Sequence, residues 1–160
     1  MTTPKFLIDA HKGVGPLRFG MTRSEVARIM KEKPFTRDGR KDGYELSDYF
    51  QDRSVQVIYD PNELVGAVQF FVLDEVVYPL DVRMNRPYKD ILRWTRERDP
   101  AIVLESDGFR SELLGIVVGV RDNDDDAEQR LRLLVVHRPR YYQDAKEWMA
   151  EFRAKKKKKK

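Results

Sequence analysis

The chain's 160 residues suffice for one domain, and 41% hydrophobic with 36% charged residues fits a packed core under a charged surface. The absence of cysteine excludes disulfide frameworks and thiolate metal sites, and no run approaches the roughly 18 uncharged apolar residues of a membrane span. The formal charge of +4 comes from Lys155 to Lys160: without them the 31 Lys and Arg fall to 25 against 27 Asp and Glu, leaving a slightly acidic body.

The opening, Met1 to Phe6, lacks the basic-then-apolar layout of a signal peptide, so the expected location is the cytoplasm. Pro16 to Met21 reads as a short strand. Thr22 with Glu25 forms a capping box, and Val26, Ile29 and Met30 make a helix stripe that ends at Lys33-Pro34. Strands are expected at Tyr44–Phe50, Ser54–Tyr59 and Val65–Leu73, the last two joined by a turn at Asp60-Pro61-Asn62-Glu63. Pro79 to Met84 is strand-like. Asn85 can cap a helix with Pro87 in its first turn, and Tyr88, Ile91 and Leu92 make a stripe running to about Arg98. Ala101–Leu104, Leu113–Val120 and Arg130–Val136 follow as strands, with an acidic hairpin tip at Arg121 to Asp126 between the last two. A final helix is expected over Gln143–Phe152, with Ala145, Trp148, Met149 and Phe152 on one face.

Laid over each other with an offset of 63, Pro16, Leu17, Met21 and Arg23 fall on Pro79, Leu80, Met84 and Arg86. A duplication explains this, as do chance or convergent strand-to-helix chemistry. The expected fold is α+β: an antiparallel sheet with helices on one face, two related strand-helix-strands halves (about 12–75 and 76–140) and a C-terminal helix. It forms a single domain over 1–154. Residues 155–160 read as a disordered poly-lysine tail or a tag. Helices on one face leave the other face free, which suits binding.

Signals for chemistry are sparse. His11 and His137 stand 126 residues apart, without ligand spacing. Asp122, Asp124 and Asp126 begin like a calcium loop, but Ala127 replaces the turn glycine and Leu133 the bidentate Glu. The tip reads either as a solvated hairpin or as a negative patch for a basic partner. Gly13-Val14-Gly15 lacks a third glycine and a strand before it, so it makes no phosphate loop. Tyr44, Tyr49, Phe50, Tyr59, Phe70, Phe71 and Tyr78 cluster in the first half's strands, where they pack a core or stack bases. The expectation is no catalytic residue, no metal and no cofactor.

The opening Gly13-Val14-Gly15-Pro16-Leu17-Arg18-Phe19-Gly20-Met21-Thr22-Arg23-Ser24-Glu25-Val26 resembles that of small bacterial immunity proteins encoded beside polymorphic toxins. Val57-Ile58-Tyr59-Asp60 and Tyr141-Tyr142-Gln143-Asp144 are similar to two weaker motifs of those proteins. A looser likeness exists to the helix-plus-sheet units of the β-lactamase inhibitor protein and of outer-membrane assembly lipoproteins. The resemblance implies a non-enzymatic role: binding a cognate toxin and blocking it by occlusion. It brings no catalytic residues with it. The residues expected at the interface are Asp122, Asp124, Asp125 and Asp126, then Tyr44, Tyr49 and Trp94. The alternatives are a nucleic-acid-binding module using a sheet face and the basic tail, although the acidic body argues against nucleic acid, or a structural or assembly module. No membrane partner is expected.

Overall fold

A computed structural model describes residues 6–71, 76–78, 82–121 and 129–158. The chain runs β1 (Phe6–Asp9), β2 (Gly13–Val14), β3 (Leu17–Arg18), α1 (Arg23–Met30), β4 (Phe35–Asp38), β5 (Leu46–Phe50), β6 (Val55–Tyr59), β7 (Val65–Phe70) and β8 (Val76–Tyr78). It continues through β9 (Val82–Arg83), α2 (Tyr88–Arg98), β10 (Val103–Glu105), β11 (Gly108–Ser111), β12 (Ile116–Gly119), β13 (Leu133–His137) and α3 (Tyr141–Lys158). Single 3-10 turns lie at Arg40–Asp42 and Gln51–Arg53.

Among the described residues, eight strands form an antiparallel sheet in the order β10-β11-β12-β13-β7-β6-β5-β4. The other five strands form a second sheet, β3-β2-β1-β8-β9, in which β1 and β8 run parallel. The fold is α+β. From β2 to β7 and from β8 to β13 the order is the same: two strands, a helix, four strands. β7 and β13 meet at the centre of the large sheet. Each helix start is tied to the segment leading into the last strand of its own half: Thr22 bridges Leu64, and Pro87 bridges Arg130.

Alternation along the strands sorts residues between two faces. Val55, Val57 and Tyr59 of β6, Val68 and Phe70 of β7, and Leu134 and Val136 of β13 face one core. Val26 and Met30 of α1, Tyr88 and Ile91 of α2, and Phe6, Ile8, Val14 and Leu17 of the small sheet close it. Each fully buried side chain of this size contributes about 1.5–3 kcal/mol. Thr22 caps α1 as expected, its hydroxyl accepting from the Glu25 amide at 3.2 Å.

α3 packs on the opposite face. Ala145 and Trp148 lie against Ile58, Ala67 and Val135, with Met149 and Phe152 alongside, the stripe expected from their spacing. Helices therefore cover both faces of the sheet, and the second face is only partly free. The cause is the outward set of β6, β7 and β13: Ile58, Ala67 and Val135 are themselves apolar, and an apolar patch at the middle of a sheet has to be covered.

Other departures have local causes. α3 runs beyond Phe152 through Lys158, so four of the six lysines set apart as a disordered tail are helical. Lysine is a good helix former, cations suit a helix C-terminus, and Lys156 Nζ lies 2.7 Å from Asp42 Oδ1. Pro87, not Asn85, precedes α2 as its cap, because its extended ψ of 140° keeps helical geometry from starting before Tyr88. The two helix starts therefore correspond two residues away from the alignment that set Thr22 opposite Asn85. The strand expected over Pro16–Met21 is only Leu17–Arg18, and Leu113 sits exposed in the turn before β12. A strand, β1, does precede Gly13-Val14-Gly15, but the glycines lead into the β2–β3 hairpin and not into a helix. The acidic residues Asp122, Asp124, Asp125 and Asp126 lie outside the described residues.

Candidate functional site

The face that α3 covers is bare beyond it. β4 pairs with β5 so that Phe35 stands beside Tyr49 and Arg37 beside Ser47. These four side chains point to the α3 side, as does Gln56 of β6. Phe71, just past β7, meets Tyr49 edge-on with ring centroids 6.0 Å apart. Together with Thr36 these residues line a groove of about 340 Å³. Phe35 is 66% exposed and Phe71 43%, a high exposure for two neighbouring large rings. Gln56 donates to Ser47 Oγ at 2.9 Å, fixing the polar floor of the groove. All four residues of β4 are exposed, and β4 is an outer strand of the sheet, so its far edge has no strand partner among the described residues.

The position of α3 defines the limit of this strip. The helix starts with Tyr141 against Gly66, where an added Cβ would come within 3.0 Å of the ring, and near its end Lys156 meets Asp42. It thus crosses the sheet at the ends of the strands that carry Ile58 and Ala67. The opposite strand ends, with Phe35, Tyr49, Gln56 and Phe71, stay open.

Among the described residues two carboxylates are buried, Asp48 and Asp99. Asp48 accepts from Arg23 Nη2 at 3.0 Å and Nε at 3.1 Å, from Thr36 Oγ1 at 2.7 Å and from the Tyr59 hydroxyl at 2.9 Å. Burial pushes its pKa up, but the hydrogen bonds from Arg23, Thr36 and Tyr59 outweigh that, and the net shift is downward. Burial, and then the charge of Asp48, push the Tyr59 hydroxyl far up. A perturbed carboxylate is a candidate for catalysis. Here its lone pairs are spent holding α1, β4, β5 and β6 together, so its role is that of a fastener. Asp99 acts similarly in the second half, accepting from Ser111 Oγ at 2.6 Å and from the Ala101 amide at 3.0 Å.

The two histidines approach each other around Gly115: an added Cβ there would lie 2.8 Å from the His137 carbonyl and 3.6 Å from His11 Nδ1. His11 Nε2 donates to the Leu113 carbonyl at 2.7 Å. His137 Nδ1 donates to the Arg138 carbonyl at 3.0 Å. Burial lowers the His137 pKa below its ordinary value. Among the described residues no group of three or more His, Asp or Glu is arranged to hold a metal ion.

The residues expected at an interface fall in different places. Tyr49 is in the strip. Tyr44 is exposed in the turn before β5, beneath the Arg153 guanidinium at 5.8 Å. Trp94 lies on α2, across the sheet, under Arg98 at 3.8 Å. Asp122, Asp124, Asp125 and Asp126 are outside the described residues. Of the clustered aromatics, Phe50, Tyr59 and Phe70 are core. Sequence reasoning missed Phe35 and Arg37: Phe35-Thr36-Arg37-Asp38 holds one apolar residue and no alternation, so nothing local marked it as a strand. No protein-family model, curated protein or solved structure matches the chain.

Proposed function

We propose that the protein is an immunity protein that holds a cognate toxin on the bare strip at Phe35, Tyr49 and Phe71 and blocks it by occlusion. The observation that carries the reading is the strip itself: three aromatic rings and Arg37 gathered around a groove of about 340 Å³ on an otherwise packed sheet. Aromatic and Arg side chains dominate binding energy at protein interfaces, and rigid strands keep them in place at little entropic cost. The sequence resemblance of Gly13 to Val26 supports the specific role. Those residues build the fold and cap α1, so what they share with immunity proteins bears on the scaffold, while the strip is this chain's own.

The test is capture of a partner by the full chain, followed by expression of that partner alone and together with this chain. Growth arrest by the partner alone, relieved by the wild type but not by a Phe35→Ser/Phe71→Ser variant, is the expected result. A partner that is harmless alone, or rescue by the variant, contradicts the reading. For Asp122, Asp124, Asp125 and Asp126 the proposal rests on sequence: neutralising them should slow association and flatten its salt dependence.

A further inference from the structure

We propose that the lysine-bearing end of α3, together with the 3-10 turn at Arg40–Asp42, binds single-stranded nucleic acid. A nucleic-acid binder carries its basic face on a folded body, and in the sequence the lysine run looks detached from one. In the fold it is not detached. Lys155 to Lys158 are the last turn of α3, and its Lys155 and Lys156 lie against the 3-10 turn, Lys156 pairing with Asp42. Between the two elements is a groove of about 500 Å³ lined by Arg40, Lys41, Asp42, Phe152, Lys155 and Lys156.

Close approach of the elements depends on Gly43. Its φ of 83° favours glycine, and an added Cβ would sit 2.3 Å from Arg153 Cγ. Arg153 in turn lies over the ring of Tyr44, which is 53% exposed. Arg40, Lys41, Arg153 and the four helical lysines are seven cations in one neighbourhood. Two of them have carboxylate partners close by: Arg40 with Asp38 at 2.7 Å and Lys156 with Asp42 at 2.7 Å. The remaining cations repel one another, and a polyanion would relieve that repulsion.

Geometry chooses among polyanions. Consecutive helical residues are about 100° apart, so Lys155 to Lys158 surround the helix end and do not share one plane. A flat anionic membrane would meet one side of such an end, whereas a flexible single strand can follow it round. The exposed Tyr44 ring and the partly buried Phe152 beside the cations offer bases a stacking surface, which a purely ionic ligand would not use.

The test is fluorescence anisotropy of a labelled oligothymidylate of about 16 nucleotides with the full chain, titrated between about 50 and 200 mM salt. Binding should be tight at the low end and fall steeply with salt. Lys155→Gln/Lys157→Gln/Lys158→Gln, which spares the Lys156–Asp42 pair, should reduce the slope of log K against log salt by about 2. Lys41→Gln should reduce it by about 0.7. Tyr44→Ala should weaken binding by at least about five-fold and leave the slope unchanged. Circular dichroism should show all variants folded. No binding at low salt, slopes unaffected by the lysine changes, affinity indifferent to Tyr44→Ala, or binding to phosphatidylserine vesicles without binding to the oligonucleotide would each overturn the proposal.

Discussion

The face of the large sheet away from α1 and α2 has two parts, and they differ in what covers them. Under α3, Ile58, Ala67 and Val135 are buried against Ala145 and Trp148. Beyond α3, on the same strands and their neighbours, Phe35, Tyr49 and Phe71 stand open around a groove. Both parts carry large apolar side chains, the open one over a polar floor of Ser47 and Gln56, and the strands place them by the same alternation. Where an apolar patch has its own helix, it stabilises the fold. Where the chain leaves large rings uncovered, their contribution to folding is small, and the proposed use is cover by another molecule.

Changes under the helix should therefore act on stability, and changes beyond it on binding. The largest effect expected is from Trp148→Ala, which empties the α3 contact and should cost about 3–5 kcal/mol in denaturant unfolding. A small loss there would mean α3 is a loosely held cover. Next, single alanine substitutions at Phe35, Tyr49 and Phe71 should each leave unfolding within about 1 kcal/mol of wild type, and at least one should cost about 2 kcal/mol or more in partner affinity. A strip residue that unfolds the protein would erase the distinction between the two parts. Smaller again, Gly66→Ala pushes a methyl group against the Tyr141 ring at 3.0 Å and should cost about 1–2 kcal/mol.

The last effect depends on pH. The His137 ring packs edge-on against Tyr142 at 5.0 Å, at the start of α3. Its folded pKa is lowered, first by burial. The unfolded chain therefore takes up a proton near the ordinary value of about 6.5, while the folded chain stays neutral to lower pH. Stability should fall as pH drops below that value and level off once the folded pKa is passed. Melting curves of wild type and His137→Gln across this window check the sign: the variant should lose the slope. An equal slope in both would remove His137 from the account.

How far these parts could be foreseen differs by element. Thr22 as the cap of α1, the Val55-Val57-Tyr59 alternation and the Asp60 turn are local signals that needed no tertiary help, and each stands where expected. β1 is short, and its partner β8 lies far along the chain, while β4 is exposed throughout and becomes a strand only by pairing with β5, so neither showed in a local pattern. The stripe of α3 was visible, but nothing in Ala145, Trp148 or Phe152 says which face of the sheet it covers. Of the strip, Tyr49 was legible as a strand aromatic. Its neighbours Phe35 and Phe71 become a site only once β4–β5–β6–β7 pairing sets them side by side. The motif residues Tyr59 and Asp60 turn out to be fasteners: Tyr59 donates to Asp48, and Asp60 Oδ1 accepts from the Asn62 and Leu64 amides.

The central claim is that the open strip, and not the covered one, binds the partner. The most direct measurement is the equilibrium affinity of the captured toxin for Phe35→Ser/Phe71→Ser beside wild type, with melting temperatures recorded on the same samples. The account predicts at least about a thirty-fold loss of affinity with the melting temperature unchanged. Wild-type affinity in the variant, or an affinity loss matched by a falling melting temperature, would contradict it.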